Sequence, residues 1–391
     1  MSATRARPMS GMRRISHITF TFLPYSEAWL YDLVTAPLPY EAQVVAVSRE
    51  NGDRFPFEPL ILIREESSRG SLTWFHGQLN RRLGWPRSPA NPWKKPLRRL
   101  PRTQDLFHAH FGPVGYRVVE AGLRPTITSF YGYDASERAT LARWARAYRR
   151  LFRTGAAFVA EGPAMRERLI DLGAPSSRTH VVPLIAHLDD DWQPASLAAD
   201  EAPRVLMTGR LVEKKGFAEG VAAFSEARRS RDDARLLILG AGPEEERLRI
   251  VTRSLGLEDA VEFVSPLPRD RFRDFMRSCH IVLQPSRTAS DGDAEGGAPT
   301  TLLEAQALGR VIVASDHADI PSIVDRETAL LAPENDAEAL ADRLTTALTA
   351  PKNWPSWGAA SRRFVESHHS REHVATLLAR LYDRVLATTI E

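Results

Sequence analysis

The chain has 391 residues, 43% of them hydrophobic, and a formal net charge of +3. This length predicts two globular domains, each large enough for its own core. The single cysteine, Cys279, excludes an internal disulfide, and no run of about 18 apolar residues exists that would predict a membrane-spanning helix. Residues 1–200 hold 27 Lys and Arg against 19 Asp and Glu (+8), and the remainder holds 25 against 30 (−5), so the two lobes are expected to have different partners.

The chain starts with a basic segment followed by an apolar one, as a signal peptide does. Polar residues interrupt the apolar segment, however, and no small-residue cleavage site follows it. We therefore predict a first strand within residues 15–23 and a cytoplasmic protein.

Strands and amphipathic helices alternate along both halves of the chain. In the first half, strands are predicted at 17–22, 43–47, 106–110, 126–130, 157–160 and 180–183, with helices at 114–121 and 138–153. In the second half, strands are predicted at 204–208, 234–239, 261–264, 281–284 and 311–314, with helices at 216–229, 244–255, 269–278, 300–307, 336–348 and 374–388. Short strands followed by helices imply parallel sheets covered on both faces, so two Rossmann-like α/β domains are expected. The polar, aperiodic stretch 188–203 separates them, which gives domains at 1–190 and 200–375 and a C-terminal helix at 376–391 behind a broken stretch at 353–357.

The turn 209–216 (GRLVEKKG) follows a strand and opens a helix. Such a turn offers free backbone N–H groups and the positive end of a helix, at the sheet edge where α/β domains bind ligands. Arg210 and Lys215 add cations that together would neutralise a diphosphate. Taken alone, the turn is equally well explained as a basic loop in solvent.

A glycine-rich loop, EGGAP at 295–299, leads into the predicted helix at 300. Its N–H groups are flanked by Glu295 and Glu304, and carboxylates are good acceptors for ribose and sugar hydroxyls. Thr300 or Thr301 is positioned to cap the helix. An ordinary capped helix is the alternative explanation.

The strand 106–110 ends in His108-Ala109-His110, and Tyr131 and Asp134 follow the next strand. The two histidines share one face of the strand, and His110, the last, is expected to reach a cleft. No metal site is expected because no carboxylate or third histidine stands at ligand spacing. A purely structural role is the alternative.

Gly240-Ala241-Gly242 suggests a dinucleotide-binding turn. Glu245 occupies the third glycine position of that pattern, with Glu244 and Glu246 beside it, and these acids would repel a pyrophosphate. We therefore reject NAD binding.

These motifs occur together, in a fixed order along the chain, on a pattern of two Rossmann-like domains. This combination resembles the retaining glycosyltransferases of family 4, which have the GT-B fold. The resemblance covers most of the chain and is densest from 204 to about 333. It implies a C-terminal helix that crosses back to the first domain. The site residues implied are Arg210 and Lys215 for the diphosphate of a nucleotide-sugar (NDP-sugar) donor; Glu295, Gly296, Gly297 and Glu304 for its sugar and ribose; His110 and Glu295 at the reaction centre; and Ser26, Glu27, Tyr131 and Asp134 on the acceptor side.

The chain departs from the family pattern at several positions. Eight residues separate Glu295 from Glu304 where the family has seven, so either the loop bulges or the first position shifts to Gly296 or Asp293. Tyr131 stands where the family often has histidine. Ser265 replaces a common glycine, and 182–187 lacks the usual Pro-x-Gly pattern.

The resemblance implies transfer of a hexose, with retained configuration, to a glycan or lipid-linked acceptor in surface polysaccharide or glycolipid synthesis. Fixed cations would stabilise the leaving nucleotide, so neither a metal nor another cofactor is expected. Two alternatives stay open. A sugar-nucleotide epimerase of the same fold would convert the donor alone, and a non-catalytic relative would bind a nucleotide without turnover.

No acid occurs from 67 to 104, where nine basic residues and interleaved aromatic residues do. From the basic stretch 69–102 we predict peripheral association with an anionic membrane on its inner face. A solvated loop over core tryptophans is the alternative. Nucleic acid is not expected, because no binding motif accompanies the charge.

Overall fold

The structure, a computed structural model, describes residues 12–24, 27, 29–64, 91–100, 105–188, 190–199, 201–297 and 299–388. In the first half of the chain the strands are β1 Arg14–Ile18, β2 Thr21–Phe22, β3 Glu41–Ala46, β4 Ser48–Arg49, β5 Leu60–Leu62, β6 Leu106–His110, β7 Thr126–Ser129, β8 Ala157–Ala160 and β9 Thr179–Val181. The helices are α1 Trp29–Val34, α2 Lys94–Arg98, α3 Gly112–Ala121, α4 Tyr133–Ser136, α5 Arg138–Thr154 and α6 Pro163–Asp171. Seven of these strands form a parallel sheet in the order β5-β3-β1-β6-β7-β8-β9, and β2 pairs with β4 separately.

The second half repeats this architecture. Its strands are β10 Arg204–Thr208, β11 Arg235–Leu239, β12 Val261–Val264, β13 Ile281–Gln284, β14 Val311–Asp316 and β15 Leu330–Pro333. Its helices are α7 Phe217–Ala227, α8 Glu245–Ser254, α9 Arg269–Arg277, α10 Thr300–Ala307, α11 Ala337–Thr349, α12 Trp354–His368 and α13 Arg371–Ala387. The strands form a second parallel sheet in the order β12-β11-β10-β13-β14-β15. The predicted α/β class with two Rossmann-like domains is confirmed.

Helices cover both faces of each sheet, and this explains the continuous apolar runs. In β10, Val205 and Met207 pack into the core on one face and Leu206 packs into the core on the other, all three fully buried. Successive side chains of a strand point to opposite faces, so a strand buried on both sides needs apolar residues at every position.

The C-terminal helix crosses back to the first domain, as expected. Helix α12 places Val365 in a second-domain core, whereas α13 places Val374, Leu378 and Tyr382 against the core of the first sheet. The side chain of Ser370 accepts a hydrogen bond from the backbone N–H of His373 and so caps α13 at the crossover.

Two local predictions were wrong. The predicted strand 17–22 divides, because β1 ends at Ile18 and β2 pairs with β4, with Phe20 between them 46% exposed. The predicted break at 353–357 is instead the start of α12. Its proline lies in the first turn of the helix, where a missing N–H costs no hydrogen bond.

Candidate functional site

A cavity of about 340 Å³ lies between the two domains. On the second-domain side it is lined by the carboxyl ends of β10 and β11 and by the first two turns of α10, and on the other side by Trp29 and Asp32 of α1. This is the edge of a parallel sheet where ligands bind. Two of the predicted donor residues, Arg210 and Glu304, line it.

The turn after β10 is shaped by glycine and presents Arg210. Gly216, which precedes α7, has a φ of 64°, and a Cβ built on it would lie 1.8 Å from the carbonyl oxygen of Pro285. Only glycine fits that position, so the close turn into the helix is fixed by sequence. Arg210 is exposed and makes no ion pair with any described residue, so its guanidinium is available to a ligand in the cavity.

Lys215 and Glu295 form a buried ion pair with an Nζ–Oε1 distance of 2.7 Å. Ser286 Oγ also donates to Glu295 Oε1, at 3.0 Å. Burial by itself would raise the pKa of Glu295, but the charges of Lys215 and Lys214 outweigh it and the pKa is lowered. Glu295 is therefore held ionised beside one of the two predicted diphosphate cations.

Lys214 contacts the loop that precedes α10, which is one residue longer than in the family pattern. Its Nζ lies 2.9 Å from Asp293 Oδ2 and donates to the Ala294 carbonyl at 3.1 Å, and its side chain is buried. Two adjacent lysines thus hold two acids of the loop, with Asp293 on Lys214 and Glu295 on Lys215. Of the acids considered for the first position, Glu295 is the one that faces Lys215.

Gly296 and Gly297 form the contact between the loop and the first domain. A Cβ built on Gly296 would lie 1.8 Å from the Cα of Gly132, and one built on Gly297 would lie 1.6 Å from Glu161 Oε2. The Gly296 contact is with backbone atoms, so only glycine allows the close approach of the domains there, whereas the Gly297 contact is with the Glu161 side chain.

Helix α10 directs its first turn at the cavity. Thr300, Thr301 and Glu304 line it, and Thr300 and Glu304 lie four residues apart on one face of the helix. The predicted threonine cap is wrong: Pro299 is the capping position, with no side-chain cap, and both threonines lie inside the helix. The Leu302 N–H donates to the Pro299 carbonyl at 2.9 Å, so within the first turn the N–H groups of Thr300 and Thr301 are the ones that a ligand in the cavity can use.

His110 lies behind Tyr131 in a chain of hydrogen bonds. His110 is fully buried; its Nδ1 lies 2.7 Å from the Tyr131 hydroxyl and its Nε2 lies 3.1 Å from Nδ1 of His17. Burial lowers the pKa of His110, and it lowers that of His17 to about 3, so both rings are neutral at pH 7. The half-buried Tyr131 packs on Trp29, with ring centroids 4.3 Å apart, and Trp29 in turn lines the cavity.

Asp134 braces the backbone under the site. Its carboxylate is fully buried and accepts hydrogen bonds from the N–H groups of Tyr131, Gly132 and Gly112 at 2.8–3.1 Å. Burial raises the pKa of Asp134 to about 6, against the effect of these hydrogen bonds. Burial, followed by the charges of Asp134 and Glu50, raises the pKa of the nearby Glu27 to about 7. Ser26 lies outside the described residues, and the acceptor-side role of this group stays a prediction.

The statement that no third histidine accompanies His108 and His110 was wrong. His17, on the neighbouring strand β1, brings three ring nitrogens within 4.8 Å of one another. His108 is hydrogen-bonded on one side to the Tyr382 hydroxyl and on the other to Ser129 Oγ, both at 2.7 Å. A metal ion would have to displace such hydrogen bonds, and whether the protein needs one stays a prediction.

Asp32 was not among the predicted site residues, and it connects both domains with the C-terminal helix. One carboxylate oxygen lies 3.3 Å from Arg371 of α13 and the other lies 3.7 Å from Arg269 of α9. No local pattern marks this residue, because Arg371 is 339 positions away from it in the sequence and Arg269 also lies in the other half of the chain.

Most of the basic stretch 69–102 lies outside the described residues, which include only 91–100 of it. Within the part of the chain that the structure describes, no helix is long and apolar enough to cross a membrane.

Two Rossmann-like domains that face each other across a cleft make up the GT-B fold. A solved structure of HepE from Anabaena shares this fold with a TM-score of 0.72 over 96% of this chain and 99% of that one, at 15% identity. The outer-core galactosyltransferase WaaB has a TM-score of 0.68 at 12% identity, over 96% of this chain and 99% of its own.

The family follows from the sequence comparisons. The model described as "Glycosyltransferase Family 4" matches residues 29–189, and the one described as "Glycosyl transferases group 1" matches residues 189–364. The chain belongs to the family 4, group 1 glycosyltransferases.

Two relatives have names that refer to polysaccharide synthesis. The putative colanic acid biosynthesis glycosyltransferase WcaL of Escherichia coli K12 is 34% identical over 253 residues, which is 62% of this chain and 61% of the relative. The amylovoran biosynthesis glycosyltransferase AmsK of Erwinia amylovora is 29% identical over 73% of this chain and 71% of its own. The match thus spans about three fifths of the length of WcaL.

Proposed function

We propose that the protein is a retaining hexosyltransferase that moves a sugar from an NDP-sugar to a glycan or lipid-linked acceptor in surface polysaccharide or glycolipid synthesis. The observation that carries the proposal is the placement of Arg210 at the interdomain cavity. In the same turn of the chain, Lys215 forms the buried pair with Glu295. That arrangement offers cations to a diphosphate and a carboxylate to sugar hydroxyls in one place.

The donor end of the cleft supports an NDP-sugar. Arg210 offers a planar fork, Lys215 keeps N–H donors beyond the one used by Glu295, and the first turn of α10 adds backbone N–H groups. HepE was crystallised in complex with UDP-glucose, and a Corynebacterium glutamicum relative, 30% identical over 173 residues, is named a GDP-mannose-dependent mannosyltransferase. These neighbours support the donor class and leave the base open.

The proposed catalysis uses charge stabilisation. As the bond between sugar and phosphate breaks, negative charge grows on the leaving nucleotide, where Arg210 and Lys215 would stabilise it. The acceptor hydroxyl attacks the anomeric carbon from the face that the phosphate leaves and gives its proton to the departing phosphate, so the configuration is retained. Glu295 orients the sugar, and Tyr131, backed by His110, borders the acceptor side. Closure around the donor would limit hydrolysis. No metal is assigned a role.

The acceptor class rests on the relatives. WcaL and AmsK are named for the synthesis of colanic acid and amylovoran, and the Corynebacterium relative is named for a phosphatidylinositol mannoside. Acceptors of this kind are glycans or carry a lipid, and a cleft open between two domains suits both.

The test is turnover of UDP-, GDP- and ADP-sugars with and without a lipid-linked oligosaccharide fraction, with the linkage of the product read by NMR. We expect nucleotide to be released only when the acceptor is present, and we expect the new linkage in the product to have the anomeric configuration of the donor. Arg210→Ala should lower kcat/KM about 100-fold, whereas Arg247→Ala on the surface helix α8 should not change it. Conversion of the donor alone to an epimer would identify an epimerase, and binding without turnover in every mixture would identify a non-catalytic relative.

A further inference from the structure

Helix α5 presents a solvent face built of two residue types. The helix buries Trp144, Tyr148 and Phe152 against the first domain. Its nine exposed positions hold six arginines and three alanines: Arg138, Arg143, Arg146, Arg149, Arg150 and Arg153, with Ala139, Ala142 and Ala145. A solvated helix face ordinarily mixes both signs of charge, and this one carries a single sign.

These arginines are also without acidic partners. None of the six forms an ion pair with any residue that the structure describes, which contrasts with the second domain. There, Arg247 and Arg249 of α8 lie 2.8 and 2.9 Å from Glu244 and Glu245. The charge of α8 is thus neutralised locally, whereas the charge of α5 is left for an external partner.

The charged surface continues onto α2. Arg117 of α3 lies over the ring of Trp93, which precedes α2, and over the ring of Trp144 of α5, at 4.6 and 5.7 Å from the centroids. Helices α2 and α5 therefore flank α3 on one side of the sheet. We call the set Arg98, Arg99, Arg143, Arg146, Arg149, Arg150 and Arg153 the basic face, and all seven are exposed.

Two carboxylates beside these helices are too few to offset the seven positive charges of the basic face. Glu120 of α3 is paired with Lys94 at 3.0 Å, and Glu137, before α5, accepts a hydrogen bond from Thr140. Both are half-buried.

Helix α5, which carries most of the basic face, begins where the two domains meet. At the N-terminal end of α5, Arg138 donates to the carbonyl of Ser290, in the second-domain loop that leads to Glu295. A planar partner on the basic face would therefore lie beside the opening between the domains.

We propose that the basic face docks the protein on the anionic surface of a lipid bilayer. Two helices on one side of the sheet, with long cationic side chains and, on α5, small alanines among them, give a broad surface that can contact many phosphates at once. Single-stranded nucleic acid fits less well, because the aromatic residues of α5 are buried and none is exposed there for base stacking. The site differs from the cleft and does not depend on the donor proposal.

The test is co-sedimentation of the full chain with two kinds of vesicle, one of pure phosphatidylcholine and one containing about 30% phosphatidylglycerol. The variant replaces Arg146, Arg149 and Arg150 by Gln. The control replaces Arg247, Arg249 and Arg253 of α8 by Gln, so both proteins lose three positive charges. Circular dichroism and melting temperature check that both fold.

We expect binding to the anionic vesicles only, weakened at least about tenfold in the α5 variant, little changed in the control, and lost at about 0.5 M NaCl. Three results would overturn the proposal: no binding of the wild type to anionic vesicles, equal weakening in both triple variants, or binding of an RNA or DNA oligonucleotide through the same arginines with no vesicle binding.

Discussion

Replacing Lys215 with methionine tests the buried pair at the centre of the site. Methionine keeps the length and apolar stem of lysine but removes its charge, so Glu295 loses its partner at 2.7 Å. The Glu295 side chain is only 9% exposed, so little solvent reaches a carboxylate left without its lysine.

The expected cost follows from this geometry. Leaving one member of a buried ion pair unpaired typically costs 3–5 kcal/mol, and because Lys214 and Ser286 still act on Glu295 we expect about 3 kcal/mol at pH 7. In the wild type the lowered pKa of Glu295 contributes stability at neutral pH that is lost as the pH falls through that pKa. In Lys215→Met burial dominates and the pKa of Glu295 rises, so the deficit should shrink as the pH falls from about 8 to about 5.

Urea unfolding at several pH values measures this effect. The double variant Lys215→Met with Glu295→Gln carries neither charge and should recover most of the lost free energy of unfolding. Lys352→Met, at an exposed position, should stay within about 0.5 kcal/mol of the wild type. A loss below about 1 kcal/mol in the single variant, or a deficit that grows as the pH falls, would refute the reasoning.

Two further residues give independent predictions. Gly296→Ala places a Cβ 1.8 Å from the Cα of Gly132, a backbone atom that cannot rotate away, so the domains must separate there and nucleotide affinity should fall about tenfold by calorimetry; unchanged affinity would contradict the close approach. Glu27, with its pKa raised to about 7, holds a proton in the folded state that the unfolded chain has released, so this group makes stability fall as the pH rises from about 4.5 to about 7. Glu27→Gln should reduce that fall in the free energy of unfolding, measured by urea unfolding at each pH, by up to about 3 kcal/mol. A pH profile identical to the wild type would contradict the raised pKa.

The sequence predicted the local elements of the second domain closely. Strands β10, β12 and β13 and helix α10 have the predicted bounds. Continuous apolar runs that end at glycine, proline or charged residues mark such elements, and those signals lie within a few residues of each other. The turn with Arg210 and Lys215 and the loop with Glu295 were found in the same way, because glycine and charge mark them locally.

Contacts between distant residues could not be predicted. His17 and His110 are 93 positions apart and meet because β1 pairs with β6, a strand order that no local pattern specifies. Asp32 meets Arg371 and Arg269 only after the C-terminal helix has crossed and the domains have closed. Helix α5 was predicted within one residue, but that its arginines lack acidic partners depends on which elements surround it.

The central claim is that the cleft between the domains binds a sugar nucleotide through Arg210. Calorimetric titration of UDP-, GDP- and ADP-sugars into the wild type, Arg210→Ala and the surface control Arg247→Ala tests it most directly. We expect one nucleotide family to bind, with affinity reduced at least about tenfold in Arg210→Ala and unchanged in Arg247→Ala. Binding of no sugar nucleotide, or equal binding to all three proteins, would contradict the claim.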